Sequence, residues 1–96
     1  SPRAKKQKDD MPHDSVLLRS FVEAGPNGLS VKQVGNLLGR GGKAMRGAAR
    51  KWAVRVGLIR DQGADPFDDC RVGTARGIRI KSDLQVLAKE ILKGGA

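Results

Sequence analysis

The stretch LSVKQVGNLLGRGGKAMRGAARKWAVRVGLI, Leu29 to Ile59, reads as a short helix, a glycine-filled turn and a second, basic helix. Ser30 followed three residues later by Gln33 is a capping box, which satisfies backbone N–H groups that a helix start leaves open. Val31, Val34, Leu37 and Leu38 recur at helical spacing, and Gly39 stands where a left-handed cap is wanted. The spacing predicts a helix over Val31–Leu38. Arg40, Gly41 and Gly42 make the turn, and periodicity resumes at Lys43. At about 100° per residue, Met45, Ala49, Trp52 and Val56 share one face of a second helix, 43–56, while Lys43, Arg46, Gly47, Arg50 and Val54 lie opposite. One face packs and the other carries charge. Gly57 ends this helix, and Leu58-Ile59-Arg60 leads away as an expected strand.

Charge is segregated along the same stretch. From Lys32 to Arg60 lie eight cations, Lys32, Arg40, Lys43, Arg46, Arg50, Lys51, Arg55 and Arg60, and no Asp or Glu. Over all 96 residues, 19 Lys and Arg stand against 10 Asp and Glu, a net charge of +9. That excess points to a polyanionic partner.

Outward from this centre, a helix is expected over 15–24. Asp14 can cap it, Leu17, Leu18, Phe21 and Val22 form its apolar stripe, and Gly25 can end it before the turn Pro26-Asn27-Gly28. Residues 1–13, with Arg3, Lys5, Lys6 and Lys8, are expected to be a disordered basic arm, able to add phosphate contacts through Lys5 and Lys6. On the C-terminal side, 61–69 is expected to be a solvated acidic loop holding Asp61, Asp65, Asp68 and Asp69, with Phe67 tucked against the body. Its spacing does not match a calcium loop. Gly77-Ile78-Arg79-Ile80-Lys81 alternates as a half-exposed strand would. Ser82 and Gln85 repeat the capping box, and Leu84, Leu87, Ala88, Ile91 and Leu92 give a last helix with an apolar core stripe, closed by Gly94-Gly95. The expected organisation is an arm (1–13), one α+β domain (14–93) and a short disordered tail (94–96).

The order helix, turn, helix, turn, basic helix, strand, loop, strand, helix resembles a winged helix-turn-helix domain. The residues that carry the likeness are Gly28-Leu29-Ser30 as a short first strand, Val34, Leu38 and Gly39 in the second helix and its turn, Met45, Ala49 and Trp52 in the third helix, and Gly57-Leu58-Ile59 leading into a wing. The resemblance covers residues 14 to 92 in outline. It implies a three-helix core with a small antiparallel β-wing and a C-terminal helix. It also implies duplex DNA as partner, with Lys43, Arg46 and Arg50 facing the major groove and Arg71 and Arg76 on the wing. Lys32, Arg40 and Lys51 complete the expected nucleic-acid contacts. Arg46 and Arg50, one turn apart, could each offer a two-pronged fork to guanine or phosphate, whereas Lys43 and Lys51 suit phosphate alone. The wing is long and partly acidic, and Gly47 in mid-helix costs about 0.5–1 kcal/mol relative to alanine.

Val34-Gly35-Asn36-Leu37-Leu38-Gly39-Arg40-Gly41-Gly42-Lys43-Ala44-Met45 also resembles the core of a KH domain, whose G-x-x-G loop clamps single-stranded backbone. Gly39 and Gly42 would be its two glycines. A KH fold has a strand just ahead of this stretch, where the sequence has the turn Pro26-Asn27-Gly28 and a helix upstream. Winged helices also serve as docking domains between subunits of larger assemblies, which supplies a third class of function.

Other chemistries are not expected. Gly39-Arg40-Gly41-Gly42-Lys43-Ala44 fits a dinucleotide fingerprint but follows a helix, and Ala44 stands where a phosphate-cradling P-loop has Ser or Thr. One His, His13, and one Cys, Cys70, with no convergent carboxylates, leave no catalytic or metal set, so no enzyme, cofactor, metal or small-molecule substrate is expected. Lone Cys70 suits a half-buried filler in a reducing compartment. Two Phe, one Trp and no Tyr give no platform for stacking bases. With no signal peptide and no long apolar run, no membrane partner is expected, and the location should be nuclear in a eukaryote or cytoplasmic in a bacterium. A chain opening on serine suits a piece of a longer protein.

Overall fold

The computed structural model describes residues 12–94. The elements run α1 (Pro12–Ala24), a 3₁₀ turn (Gly25–Asn27), β1 (Leu29–Ser30), α2 (Val31–Leu38), α3 (Lys43–Val56), β2 (Phe67–Val72), β3 (Ala75–Ile80) and α4 (Ser82–Lys93). The fold is α+β: four helices and a three-stranded antiparallel sheet in the order β1-β3-β2. No helix among the described residues is long and apolar enough to cross a membrane. The arm containing Lys5 and Lys6 and the end of the tail lie outside the described residues.

Local chemistry sets α2 and α3 where the sequence places them. The Ser30 hydroxyl accepts the Gln33 N–H at 3.1 Å, and Gly39 closes α2 in the left-handed region with φ +70°. Gly35 is needed for a different reason, because a Cβ there would strike the Arg40 carbonyl oxygen where the chain folds back. Met45, Ala49, Trp52 and Ala53 are the buried residues of α3, so Ala53 completes its packed face and Val56 is half-buried at the edge.

The core gathers Leu17, Leu18 and Phe21 from α1, Val34 from α2, the inner face of α3, and Phe67, Ile78 and Ile80 from the sheet. Phe21, Trp52 and Phe67 form a ring cluster with centroids 5.6 to 6.3 Å apart. Every Phe and Trp of the chain is therefore buried. The one polar atom of that cluster is satisfied, since Trp52 Nε1 donates to the Asp14 carbonyl at 3.1 Å.

Five expectations need correction. Leu58-Ile59-Arg60 is not a strand: Gly57, at φ +89°, donates to Val54 and Leu58 donates back to the Ala53 carbonyl at 2.8 Å. This pairing ends the helix and takes up the amides a sheet would need. The sheet continues instead through β2, so Asp68 and Asp69 lie in a strand and Phe67 is a core residue, 2% exposed. The first helix begins at Pro12, which puts Asp14 inside the first turn rather than at the cap. In α4, Lys81 occupies the cap position without a side-chain bond, and Gln85 reaches past it to the Ile80 carbonyl at 3.0 Å. Leu87, expected in the core stripe, is 39% exposed, while Ala88 is buried and Leu84, Ile91 and Leu92 are half-buried.

The hairpin is seated by two close approaches. A Cβ on Gly77 would lie 2.6 Å from the Leu29 carbonyl, so only glycine lets β1 cross β3 there. Gly28, at φ +77°, would meet Ile78 and Cys70 at similar distances. Half-buried Cys70 points its thiol at the Asn27 carbonyl, 3.5 Å away, and Arg79 donates to Pro26 at 3.2 Å, so the 3₁₀ turn rests on the outer face of the sheet.

Candidate nucleic-acid interface

Alternation along the hairpin decides where its arginines point. Phe67 opposes Ile80, Asp69 opposes Ile78 and Arg71 opposes Arg76, so all six share one face of the β2–β3 pair. Phe67, Ile78 and Ile80 bury that face against the helices. Farther along, beyond the core, the same face presents Arg71 and Arg76 beside the start of α3. There they line an open cleft of about 700 Å³ with Lys43, Arg46 and Asp69, over a floor that includes Val31, Met45 and Ile78.

Like charges directly opposite on paired strands are destabilising. Arg71 and Arg76 are both exposed and form no ion pair among the described residues. Arg71 Nη1 donates only to the Thr74 carbonyl of the hairpin turn, at 3.3 Å. Lys43, also exposed, has no carboxylate partner among the described residues either. An anion in the cleft would relieve the repulsion among these three cations.

Arg46 is in a different state. Its Nη1 donates to Asp69 Oδ1 at 2.7 Å and its Nη2 to Asp65 Oδ2 at 3.2 Å. The Asp69 hydrogen bond raises the guanidinium above its ordinary pKa against partial desolvation, and Asp65 adds to the rise. For Asp65, desolvation pushes the carboxyl up, but the Phe67 N–H bond and the charges of Arg46 and Arg50 outweigh it. The group therefore ends below its ordinary value. Arg50 is half-buried, with Nη1 directed at the Gln62 carbonyl, 3.4 Å away.

The remaining expected contacts are distributed elsewhere. Arg40 and Lys51 are exposed on the opposite flank of α3, around a shallow groove of about 420 Å³ walled by Leu38, Ala44, Gly47, Ala48 and Arg55. Lys32 and Arg40 border another shallow groove over the Gly39 to Gly42 turn. Thus Lys43, Arg46, Arg71 and Arg76 are brought together, and Lys32, Arg40, Arg50 and Lys51 are not part of that group.

The residues missed in the sequence are acids. Asp65 and Asp69 hold Arg46, and Asp14 holds Arg55 through two bonds of 2.9 Å. The 61–69 segment is accordingly a partner of α3 rather than a purely solvated loop. The clustered aspartates were the available signal, but nothing in their spacing names their partner. Among the described residues, no three His, Cys, Asp or Glu side chains gather as a metal site. Comparison with protein-family models, curated proteins and solved structures finds no match for this chain.

Proposed function

We propose that this chain is a winged helix-turn-helix module that binds duplex DNA, with α3 laid in the major groove and the β2–β3 hairpin as its wing on the adjacent backbone. The observation that carries the proposal is the cleft. Cations from two elements far apart in sequence, Lys43 on α3 and Arg71 and Arg76 on the hairpin, converge there without carboxylate partners among the described residues. A two-residue β1 between α1 and α2, the β1-β3-β2 order and a core shared by α1, α2 and α3 all suit that family. Burial of all three aromatic side chains suits a duplex better than stacked single-strand bases.

A KH-like reading has two observations in its favour. β1 does precede α2, and Gly39 to Gly42 are exposed. Against it, α1 contributes Leu17, Leu18 and Phe21 to the core, and of that turn only Gly42 borders the cleft of unpaired cations.

The test is fluorescence-anisotropy binding to a duplex DNA and to single-stranded RNA of equal length, each at several salt concentrations. The expected result is tighter binding to duplex, falling log-linearly with salt at a slope set by roughly four to six phosphate contacts. Preference for the single strand would move the function to the Gly39 to Gly42 turn. Salt-insensitive or absent binding to both would leave a protein-docking module.

A further inference from the structure

We propose that the module holds duplex DNA without reading its sequence, and that Asp65 and Asp69 enforce this by occupying the guanidinium of Arg46. The proposal rests on the duplex-binding reading above and adds the class of site that the interface takes.

Reading a base in the major groove requires side chains that match two edge atoms at once: Arg on guanine, Asn or Gln on adenine, a carboxylate on cytosine. Helix α3, KAMRGAARKWAVRV, contains no Asn, Gln, Ser, Thr, Asp or Glu. Its forks are the three arginines, and each already has an acceptor. Arg46 uses both terminal nitrogens on Asp69 and Asp65, Arg55 uses Nε and Nη2 on Asp14, and Arg50 directs Nη1 at Gln62. What α3 presents freely is Lys43, Lys51 and the small residues Ala44 and Gly47. Lysines act as point charges on phosphate, and the alanine methyl can touch thymine but donates nothing.

Arg46 could turn to a guanine only by giving up two charge-assisted bonds for two others, an exchange with little net gain. The turn would also leave two unpartnered carboxylates near the phosphates. Discrimination depends on a difference between partners, and this exchange removes most of it. The carboxylates thus act as specificity-determining residues by withholding a fork, while Lys43, Arg71 and Arg76 retain the phosphate contacts.

The experiment is selection from a randomised duplex pool by the full chain, followed by anisotropy on the wild type, Asp69→Asn and Asp65→Asn/Asp69→Asn, each with and without Arg46→Ala. The wild type should enrich no motif and bind unrelated duplexes within about threefold of one another, and Arg46→Ala should lower affinity for all of them alike without creating a preference. The double asparagine variant should bind tighter and prefer guanine-containing sites by about fivefold or more, a preference that Arg46→Ala abolishes. Asp69 is exposed and bonded only to Arg46 among the described contacts, so its single variant reports in the same direction if the double variant folds poorly. A motif enriched by the wild type, or asparagine variants with unchanged preference, would overturn the inference while leaving duplex binding intact. Absence of salt-sensitive duplex binding would overturn both.

Discussion

The two flanks of α3 carry the same kind of residue and have opposite fates. On the flank facing the 61–69 segment, Arg46 is tied to two carboxylates and Arg50 leans on a backbone carbonyl. On the other, Arg40 and Lys51 stand exposed around Ala44, Gly47 and Ala48. The difference teaches that a run of cations free of acids in sequence need not be free of acids in space. Charge available to a ligand is what remains after the fold has drawn in its own carboxylates, and here that remainder lies at Lys43, the outer flank and the hairpin.

Both flanks depend on the buried side of the same helix, and the largest expected effect lies there. Trp52 is 0% exposed and central to the ring cluster. Trp52→Ala should destabilise by about 3–5 kcal/mol, measured by urea unfolding. A mild change would mean that the two flanks do not share this anchor, and the comparison between them would lose its frame.

The next effect separates free cations from held ones. Lys43→Ala, Arg71→Ala and Arg76→Ala should each lower the salt slope of duplex binding by about one. Arg46→Ala should leave the slope nearly unchanged while weakening binding, because its guanidinium is spent on Asp65 and Asp69 rather than on a phosphate. If Arg46→Ala lowers the slope as much as the others, the carboxylates do not hold it when DNA is present.

How far the sequence led follows from how local each cause is. Ser30, Gly39 and the Met45, Ala49, Trp52 spacing act within one or two turns, and α2 and α3 lie where those residues place them. β2 carries Asp68, Asp69 and Arg71, with no apolar alternation, and is a strand because β3 pairs with it. Leu58-Ile59 has strand composition, yet the Gly57 turn returns its amides to α3. For the interface, the cations were legible as a run. Their partners were not, since Asp69 is 23 positions from Arg46 and Asp14 is 41 from Arg55. Pairing over such spans is a property of the packed chain.

On the bare flank, Gly47 has helical geometry, is exposed, and a Cβ added there meets nothing within 4 Å. Gly47→Ala should therefore stabilise by about 0.5–1 kcal/mol, seen as a higher thermal midpoint. Gly47→Glu should also exceed the wild type in stability but bind duplex more weakly, since it sets a carboxylate on the face proposed to meet phosphate and base. Undiminished binding by Gly47→Glu would remove this flank from the interface.

The smallest expected effect is on the held flank, and its sign is fixed by Asp65. Because the folded carboxyl titrates below its ordinary value, its contribution to stability is complete above the unfolded value of about 3.9. That contribution is lost as pH falls through the lower folded value. With the Asp65 side chain 41% exposed, solvent screening keeps it to about 0.5 kcal/mol or less. Wild type should thus exceed Asp65→Asn slightly in urea stability at pH 6, and the two should converge as pH falls through the folded value. Loss of the carboxylate charge also weakens the hold on Arg46, so the Arg46 Nε–H resonance should shift over the same acid range in the wild type, and by less in Asp65→Asn. A resonance that moves equally in both proteins would mean that Asp65 does not hold Arg46, and the held flank would then hang on the strand rather than on the segment before it.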